Sequence, residues 1–257
     1  DSENTSQTEV LNFLDRSSFG CAGGGKRIDT HASIVFLGND RALKIKRAVR
    51  LPFLDYSTLE KRKLACEAEI KVNAVNAPEL YRQVVAIARS DSGVLEIGGT
   101  GTPVEWAVEL ARFDEQQTLD HIAAEKIDSS LAISVADSIL RSHERATPTD
   151  GKTWLASIPG IIDRNTEKFH AVPGLDAVAI DHLHALSRDY VATLRPVLER
   201  RAGQGGVRRC HGDLHLANIA LVNAKPLLFD AIEFDPVIAT TDTLYDLAFT
   251  LMDMIHF

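Results

Sequence analysis

Apolar residues follow a strand-like spacing in the first 110 residues of the chain. Short apolar or β-branched runs between turn residues predict six strands, at Lys26–Thr30, Ile34–Leu37, Ala42–Lys46, Val84–Ala88, Val94–Ile97 and Val104–Leu110. The first three runs are joined by short turns, which favours an antiparallel meander, and the next two predict a hairpin. A short helix is expected at 8–15, before the first strand.

The segment 58–76 has the spacing of a helix, with Thr58 as its N-cap and Pro78 just beyond its end. At about 100° per residue, its apolar residues form two stripes, one of Leu64, Ala65, Ala68, Val72 and Val75 and one of Cys66 and Ile70. Glu69 falls between the stripes, whereas Glu67 lies on the charged side of the helix.

Helical spacing dominates the rest of the chain. It predicts three helices and, around a turn, two short strands, at 129–145, 176–202, 243–255, Ile219–Val222 and Leu227–Phe229. We therefore predict an α+β fold. Residues 1–111 form a small antiparallel sheet with one helix, and residues 112–257 form a mainly helical part.

The composition narrows the classes of protein and partner. With 45% hydrophobic and 25% charged residues, the 257-residue chain can bury a large core and is not disordered. Its formal net charge of −8 argues against nucleic acid as a partner, and no apolar run reaches the ~20 residues that span a membrane. The three widely spaced cysteines, Cys21, Cys66 and Cys210, argue against a disulfide framework. We therefore expect a cytoplasmic protein.

The strongest chemical signal is a polar run near the carboxyl end. It consists of His211-Gly-Asp213-Leu-His215-Leu-Ala-Asn218-Ile, followed by Leu-Leu-Phe-Asp230. Phosphate transfer from ATP needs one carboxylate to orient and deprotonate the attacking hydroxyl, and an amide oxygen and a second carboxylate to hold Mg²⁺. The step from Asp213 to Asn218 has the kinase catalytic-loop spacing, and the hairpin that follows can return Asp230 to Asn218. The run predicts a site for ATP and Mg²⁺ with Asp213 as the base.

Two other interpretations of the sequence motifs, a P-loop and the metal site of a hydrolase, are less favoured. The segment 20–27 has the Gly-x4-Gly-Lys spacing of a P-loop, but Arg27 stands where a Mg²⁺-binding hydroxyl is needed. His211, Asp213 and His215 could be ligands of a metal-dependent hydrolase, although the further histidine clusters of that class are missing from the sequence. We therefore prefer the kinase interpretation.

The segment 211–230 resembles the catalytic core of the aminoglycoside phosphotransferase family, which has His-Gly-Asp where protein kinases have His-Arg-Asp. Asp242 and Asp246, in Asp-Thr-Leu-Tyr-Asp-Leu-Ala, resemble the trailing Asp…Asp-Leu-Ala segment of that family. The resemblance covers most of the chain, least clearly residues 145–205. Similarity to the N-terminal domain of bifunctional aminoglycoside phosphotransferase/ATP-binding proteins extends to Thr30-His-Ala-Ser-Ile-Val-Phe-Leu, Leu43-Lys-Ile-Lys-Arg-Ala-Val and Ala77-Pro-Glu-Leu-Tyr.

This resemblance implies the two-lobed fold of protein kinases, with a sheet lobe and a helical lobe around a nucleotide cleft. His211 and Asp246 would support the catalytic loop, 211–218. The resemblance also implies a covalently linked P-loop domain after residue 257. The chain lacks an initiating methionine and stops inside an apolar run, at Ile255-His-Phe257, which leads us to expect a piece of a longer protein.

The resemblance further implies a lysine on the third strand that contacts the α- and β-phosphates and pairs with a helix glutamate. Lys44 and Lys46 share a face of that strand, so alternation does not choose between them. Lys44 is preferred because it follows an apolar pair as in related sequences. Glu69 is preferred over Glu67, because a carboxylate between apolar stripes needs a buried cation.

Two further nucleotide contacts are implied by the same resemblance. The backbone of Glu109 and Ala111, at the end of the strand that leads to the second lobe, would hydrogen-bond adenine. Ser33 ends the turn Thr30-His-Ala-Ser33, which lacks the glycines of protein kinases. Its hydroxyl or N–H could meet a phosphate, and a plain hairpin turn is an equal alternative.

The acceptor is expected to be a hydroxyl group of a small molecule, either aminoglycoside-like or another metabolite. Only twelve residues lead from Asp230 to Asp242, too few for the activation loop of a protein kinase, and Gly212 stands where the arginine that reads this loop would be. Two alternative functions stay open. One is a nucleotide-binding regulatory module with little transfer activity, and the other, less favoured, is a metal-dependent phosphohydrolase.

Overall fold

The computed structural model describes residues 2–17, 26–123 and 127–256. Its strands, numbered in chain order, are β1 Lys26–Asp29, β2 Ser33–Leu37, β3 Arg41–Lys46, β4 Arg50–Leu51, β5 Leu54–Asp55, β6 Tyr81–Arg89, β7 Leu95–Ile97, β8 Thr102–Ala111, β9 Val207–Arg209, β10 Ile219–Val222, β11 Lys225–Leu228 and β12 Thr240–Asp242. Its helices are α1 Ser2–Arg16, α2 Leu59–Asn73, α3 Leu119–Ala123, α4 Ser129–Arg145, α5 Gly151–His170, α6 Ala177–Gly203, α7 Pro236–Ala239 and α8 Thr243–His256.

Among the described residues, six strands form one antiparallel sheet in the order β1-β2-β3-β8-β6-β7. The predicted small antiparallel sheet of the front part is confirmed. Lys44 of β3 lies opposite Val108 of β8, and strand alternation places Lys44 and Lys46 on one face. The other face carries an apolar core that Val10 and Leu14 of α1 complete.

Helix α2 lies on the lysine-bearing face, and only part of its apolar stripes, Ala65 and Cys66, is fully buried. The hydroxyl of Thr58 accepts a hydrogen bond from the N–H of Lys61, so the predicted N-cap is confirmed. Leu64 and Val75, which the wheel placed on the larger stripe, are each 55% exposed. The buried residues of α2 are Arg62, Ala65, Cys66, Glu69 and Asn73. Three of them are polar because they bind buried polar partners, and a wheel of apolar residues does not detect such a face.

The predicted helices of the back part are present as α4, α6 and α8, with ends within one residue of the prediction. Helix α5 is not predicted by the spacing of apolar residues, and its interior contains Pro159, a residue that normally ends a helix. Around the loop 211–218, Leu214 and Leu216 form an apolar core with Val135 and Ile139 of α4. This core anchors the loop beneath the sheet.

Three expectations from composition and motif can be compared with the structure. No helix in the described ranges has both the length and the apolar character that crossing a bilayer requires. Cys66 and Cys210 are buried and free. Cys21 and the glycine run of the P-loop-like segment 20–27 lie outside the described residues.

Candidate active site

A cleft of about 400 Å³ lies between the sheet and the helical part of the chain. Its roof comes from β1, β2 and β3, and its floor comes from the loop 211–218 and the segment after β11. The residues predicted for the site divide into two equal groups. Those that line the cleft are Ser33, Lys44, Ala111, Asp213 and Asp230. Those buried outside this lining are Glu69, Glu109, His211, Asn218 and Asp246.

Lys44 is bonded to two other predicted site residues. Its Nζ atom lies 2.9 Å from Oε1 of Glu69 on α2 and forms a second ion pair with Oδ1 of Asp230. Desolvation would lower the pKa of Lys44, but the carboxylates of Asp230 and Glu69 outweigh it and raise the pKa well above its ordinary value. Lys44 is therefore a charged ammonium that links β3, α2 and the segment after β11.

Lys46, the other candidate on β3, shares the same glutamate. Its Nζ atom lies 2.6 Å from Oε2 of Glu69 and forms an ion pair with Oε1 of Glu233. The hydroxyl of Tyr56 donates to the same Glu233 oxygen at 3.0 Å. Ion pairs thus join five charged groups in a row. This cleft charge network consists of Asp230, Lys44, Glu69, Lys46 and Glu233.

Asp230 follows β11 with a backbone φ of +61°, in the left-handed region that aspartate adopts more readily than most residues. Its N–H donates to the Tyr81 hydroxyl on β6 at 3.0 Å. The amide of Asn73 on α2 holds the next residue, Ala231, accepting from its N–H at 2.7 Å and donating to its oxygen at 3.3 Å. The conformation of Asp230 is therefore set by the sheet lobe.

The side chain of Asp230 is 43% exposed to the cleft. Desolvation acts to raise its pKa, but the charge of Lys44 and the hydrogen bond from it lower the pKa below the ordinary value. The carboxylate is consequently ionised near neutral pH. An ionised, accessible carboxylate of this kind is a suitable ligand for a hard divalent cation.

Asp213 presents a second carboxylate to the same cleft, with its side chain 46% exposed. Nδ2 of Asn218 donates to the backbone oxygen of Asp213 at 2.9 Å, which leaves Oδ1 of Asn218 as its possible metal ligand. The N–H of Phe229 donates to the backbone oxygen of Asn218 at 3.0 Å. Asn218 is therefore beside the strand end that carries Asp230.

His211 uses both ring nitrogens inside the protein. Nε2 donates to the backbone oxygen of Phe229 at 2.9 Å, and Nδ1 accepts from the N–H of Asp213 at 3.3 Å. Burial lowers the pKa of His211, which agrees with a neutral ring that has one donor and one acceptor. A ring engaged in this way is not a metal ligand, so the hydrolase interpretation loses one of its candidates.

Helix α8 supports the loop 211–218 at three points. Three of its side chains bond to loop backbone: Oδ1 of Asp246 accepts from Gly212 N–H at 2.8 Å, the Thr250 hydroxyl donates to the Leu214 oxygen at 2.6 Å, and Oδ2 of Asp253 accepts from Leu216 N–H at 2.8 Å. The spacing of four and three residues places all three on one helix face. Of the three, Asp246 alone is predicted from the sequence.

His143, Cys210 and Asp246 form a buried group whose possible ligand atoms lie within 4.8 Å of one another. Oδ2 of Asp246 is bonded to Nε2 of His143 at 2.9 Å, and its other oxygen holds the loop. Burial raises the pKa of the Cys210 thiol, so the thiolate that a metal would need is disfavoured. The group is accounted for as an internal polar contact that supports the loop.

The backbone groups predicted to bind adenine are engaged in the sheet. Strand β8 extends to Ala111, whose N–H donates to the oxygen of Leu80 at 2.7 Å. That N–H is engaged within the sheet, and the adenine contact through the backbone of Ala111 stays a prediction. Glu109 pairs with Leu43 and Gln83 on the two neighbouring strands. A sequence alignment could not show that the last residues of β8 are still paired with the strands on both sides of it.

Ser33 lines the cleft, but its N–H is also engaged. It donates to Oγ1 of Thr30 at 3.0 Å, which closes the turn between β1 and β2. The predicted phosphate contact through this N–H is therefore contradicted. The hydroxyl of Ser33 is left as its candidate phosphate donor.

Four residues of the site were not predicted: Tyr56, Asn73, Tyr81 and Glu233. Each binds a group far away in the chain, so spacing in the sequence gives no sign of the contact. A signal existed for Asn73, which lies one helical turn after Glu69 and donates to its backbone oxygen at 3.1 Å. Glu233 belongs to the same polar run, three residues after Asp230, but its position along the chain indicates no role for it.

No protein-family model matches the chain. Uncharacterised proteins of Mycobacterium bovis and of two Mycobacterium tuberculosis strains are 27% identical to it over 232 residues, which cover 88% of this chain and 45% of theirs. The chain thus spans about half the length of the curated relatives it matches.

Two solved structures are similar to this one. An aminoglycoside phosphotransferase of Streptomyces rimosus, in complex with ADP and streptomycin, is 16% identical with a TM-score of 0.48, over 97% of this chain and 84% of that one. A choline/ethanolamine kinase family protein of Mesorhizobium loti is 13% identical with a TM-score of 0.48, over 97% and 71%. At such values neither likeness bears on the activity, which has to be argued from the geometry of the cleft.

Proposed function

We propose that this chain is an ATP- and Mg²⁺-dependent phosphotransferase that moves the γ-phosphate to a hydroxyl group of a small molecule. One observation carries the proposal. The same cleft presents an accessible carboxylate, Asp213, and a second one, Asp230, that is bonded to the charged Lys44. A base, a metal ligand and a cation for the phosphates are what phosphate transfer requires of a protein.

Asp213 would orient the acceptor hydroxyl and accept its proton. Its carboxylate opens into the cleft, while Asn218 and the bonds from α8 hold the loop backbone. The hydroxyl proton leaves late in phosphate transfer, so the position of the base matters more than a high pKa. A rigid loop with an exposed carboxylate suits this role.

Asp230 and Asn218 would hold Mg²⁺. A carboxylate oxygen and an amide oxygen are the ligands that this cation prefers, and the Phe229–Asn218 backbone bond keeps the two side chains on adjoining segments. The carboxylate of Asp230 is ionised and accessible, so the residues fit the cation. When bound, Mg²⁺ neutralises charge on the phosphates during transfer.

Lys44 would contact the α- and β-phosphates. Its ion pair with Glu69 of α2 keeps it charged and fixes its position inside the cleft. Because Glu69 is fully buried, the pair is not screened by water. The cation is thus in place before a nucleotide arrives.

A small acceptor is favoured over a protein. The residues between Asp230 and Asp242 are taken up by α7 and by β12, which pairs with β9. This stretch contains no extended loop of the kind on which a protein substrate would dock. We therefore place the acceptor among amino sugars, polyols, amino alcohols and similar metabolites.

A thermal-shift experiment tests the proposal. ATP with Mg²⁺ should stabilise the protein by about 2.7 kcal/mol at a hundredfold excess over Kd, and a panel of amino sugars, polyols and choline-like alcohols should then reveal ADP release. Binding without ADP release for any acceptor would favour the regulatory module. Stabilisation by Zn²⁺ or Mn²⁺ alone, with no response to ATP, would favour the hydrolase.

A further inference from the structure

Two lysines of β3 enter the cleft charge network, and they differ in how far their partners are exposed. Asp230, the outer partner of Lys44, has a side chain 43% exposed to the cleft. Glu69 and Glu233, the partners of Lys46, are 0% and 5% exposed, and Lys46 itself is 3% exposed. Both lysines line the cleft, but Lys44 stands at the more exposed end of the network and Lys46 at the more buried end.

The ammonium group of Lys46 is surrounded by partners. It forms ion pairs with one carboxylate oxygen of Glu69 and one of Glu233, and its hydrogen bond goes to Glu233. The ring of Tyr56 covers it, with Nζ 5.4 Å from the ring centre. The Tyr56 hydroxyl in turn donates to Glu233. Lys46 lines the cleft, but its ammonium is enclosed by these two carboxylates and the ring, and its side chain is less exposed than that of Lys44.

We propose that Lys46 is a positioning residue rather than a nucleotide ligand, an inference that rests on the proposed function. It neutralises Glu233 and holds Oε2 of Glu69. With Glu233 neutralised by Lys46, that carboxylate does not draw Lys44 away from Asp230, and Glu69 holds Lys44 through its other oxygen. Lys44 is then the lysine that meets the phosphates.

The balance of charge makes the proposal testable. The network contains two lysines and three carboxylates, which gives a net charge of −1. Removing Lys46 leaves Glu233 without its ion-pair partner, with only the longer-range charge of Arg209, and leaves Glu69 with only one lysine. Unpaired buried charges are costly, and the added negative charge repels phosphate. Removing Glu233 together with Lys46 restores the original net charge and removes the unpaired carboxylate.

Titration calorimetry with MgADP as the probe tests this on the full chain and three variants. Lys46→Met should weaken binding by about tenfold. Glu233→Gln should change it by less than about threefold, because Lys46 keeps Glu69 as a partner. The double variant should bind within about threefold of the unmodified protein. A double variant as weak as Lys46→Met would mean that Lys46 itself contacts the nucleotide, and would overturn the proposal.

Two matched controls separate position from charge. Lys44→Met should weaken MgADP binding, and adding Glu233→Gln should not restore it, although the net charge is restored in the same way. If Glu233→Gln restored MgADP binding to Lys44→Met as completely as to Lys46→Met, the two lysines would not have the different roles proposed. Lys63→Met removes an exposed partner of Glu67 on α2 and should leave binding unchanged.

If a variant is unfolded, or if the protein binds no nucleotide, stability measurements still test the pairing of Lys46 with Glu233. If Lys46→Met lacks a cooperative thermal transition, the double variant should recover one, and failure to recover it would count against the pair. If the unmodified protein does not bind MgADP, the proposed function fails. The coupling of Lys46 and Glu233 is then measured from free energies of unfolding in urea, and additive effects would disprove it.

Discussion

Asp213 and Asp230 face one cleft with nearly equal exposure, 46% and 43% of their side chains, but different parts of the protein hold them. Asp213 belongs to a loop fixed by hydrogen bonds from α8 to its backbone. Asp230 is held from the sheet lobe, by the ion pair with Lys44 and by bonds from Tyr81 and Asn73 to the adjoining backbone.

The two modes of support respond differently to change. Backbone hydrogen bonds depend on geometry, so the loop of Asp213 should tolerate changes of charge in the cleft. The setting of Asp230 depends on balanced charges in a region of low dielectric, where the loss of one partner affects the others. The proposed base is thus held by shape, and the proposed metal ligand is held by charge.

The largest expected effect separates the two aspartates by function. Asp213→Asn should lower phosphate transfer by about 10²–10⁴-fold, because a general base is lost, while MgADP binding persists. Asp230→Asn should instead weaken MgADP binding. ADP release and calorimetry measure the two quantities. Equal loss of nucleotide binding in both variants would erase the distinction.

The next effect removes the support of Asp230 without touching its charge. Asn73→Ala leaves the N–H and oxygen of Ala231 without their partner, which should lower the free energy of unfolding by about 1–3 kcal/mol and weaken MgADP binding. Asn76→Ala is the control, since it loses only an exposed bond to Arg145. Urea unfolding and calorimetry measure both effects. Normal MgADP affinity in Asn73→Ala would show that Asp230 needs no such support.

A glycine substitution tests the support of Asp213 by shape. Gly212 and Gly93 both have a φ of +85°. A Cβ added to Gly212 would lie 3.1 Å from Cα of Ala239, whereas a Cβ added to Gly93 would have no atom within 4 Å. Each alanine variant should suffer the same backbone strain, of about 1 kcal/mol. Gly212→Ala should lose about 1 kcal/mol more in urea unfolding, because the loop must shift. Equal losses would mean that the loop is not closely packed.

The smallest expected change is in the alkylation rates of two buried cysteines, one near the contacts that hold Asp230 and one near those that hold Asp213. Cys66 lies on α2, beside the region of Asp230, and Cys210 directly precedes the loop of Asp213. Burial raises the pKa of Cys66 to about 12 and also raises that of Cys210. At pH 8, in a Cys21→Ser background, alkylation of Cys66 should be about a thousandfold slower than that of a free thiol.

Adding Asp230→Asn sharpens the same measurement. It removes one partner of Lys44, so local opening should speed the alkylation of Cys66 a few-fold and leave Cys210 unchanged. Mass spectrometry of the two peptides measures both rates. Faster alkylation of Cys210 alone would mean that the charge of Asp230 stabilises the loop of Asp213 and not the region around α2.

Much of the fold could be predicted because its signals are local. The strands of the sheet, the N-cap at Thr58 and the helices α4, α6 and α8 follow from spacing within a few residues. Helix α5 was not predicted in this way; it runs unbroken through Pro159, a residue that disfavours a helix interior, and it is packed mainly against α6. The burial of Glu69 against a lysine was predicted from the helix wheel, but that of Arg62 and Asn73 was not, because their polar partners lie on other elements.

The residues of the candidate site also fall into two groups, those that local spacing predicts and those that depend on contacts between distant elements. By itself the sequence identified Asp213, Asn218 and Asp230, because they belong to one loop and one hairpin whose spacing is visible along the chain. Only the tertiary structure decided that Lys44 and Lys46 both bind Glu69, that Glu233 completes the network, and that β8 occupies the N–H of Ala111. Such contacts join residues as far as 187 positions apart, and a buried charge or hydrogen-bonding group selects its partner by distance in space, which spacing along a chain does not encode.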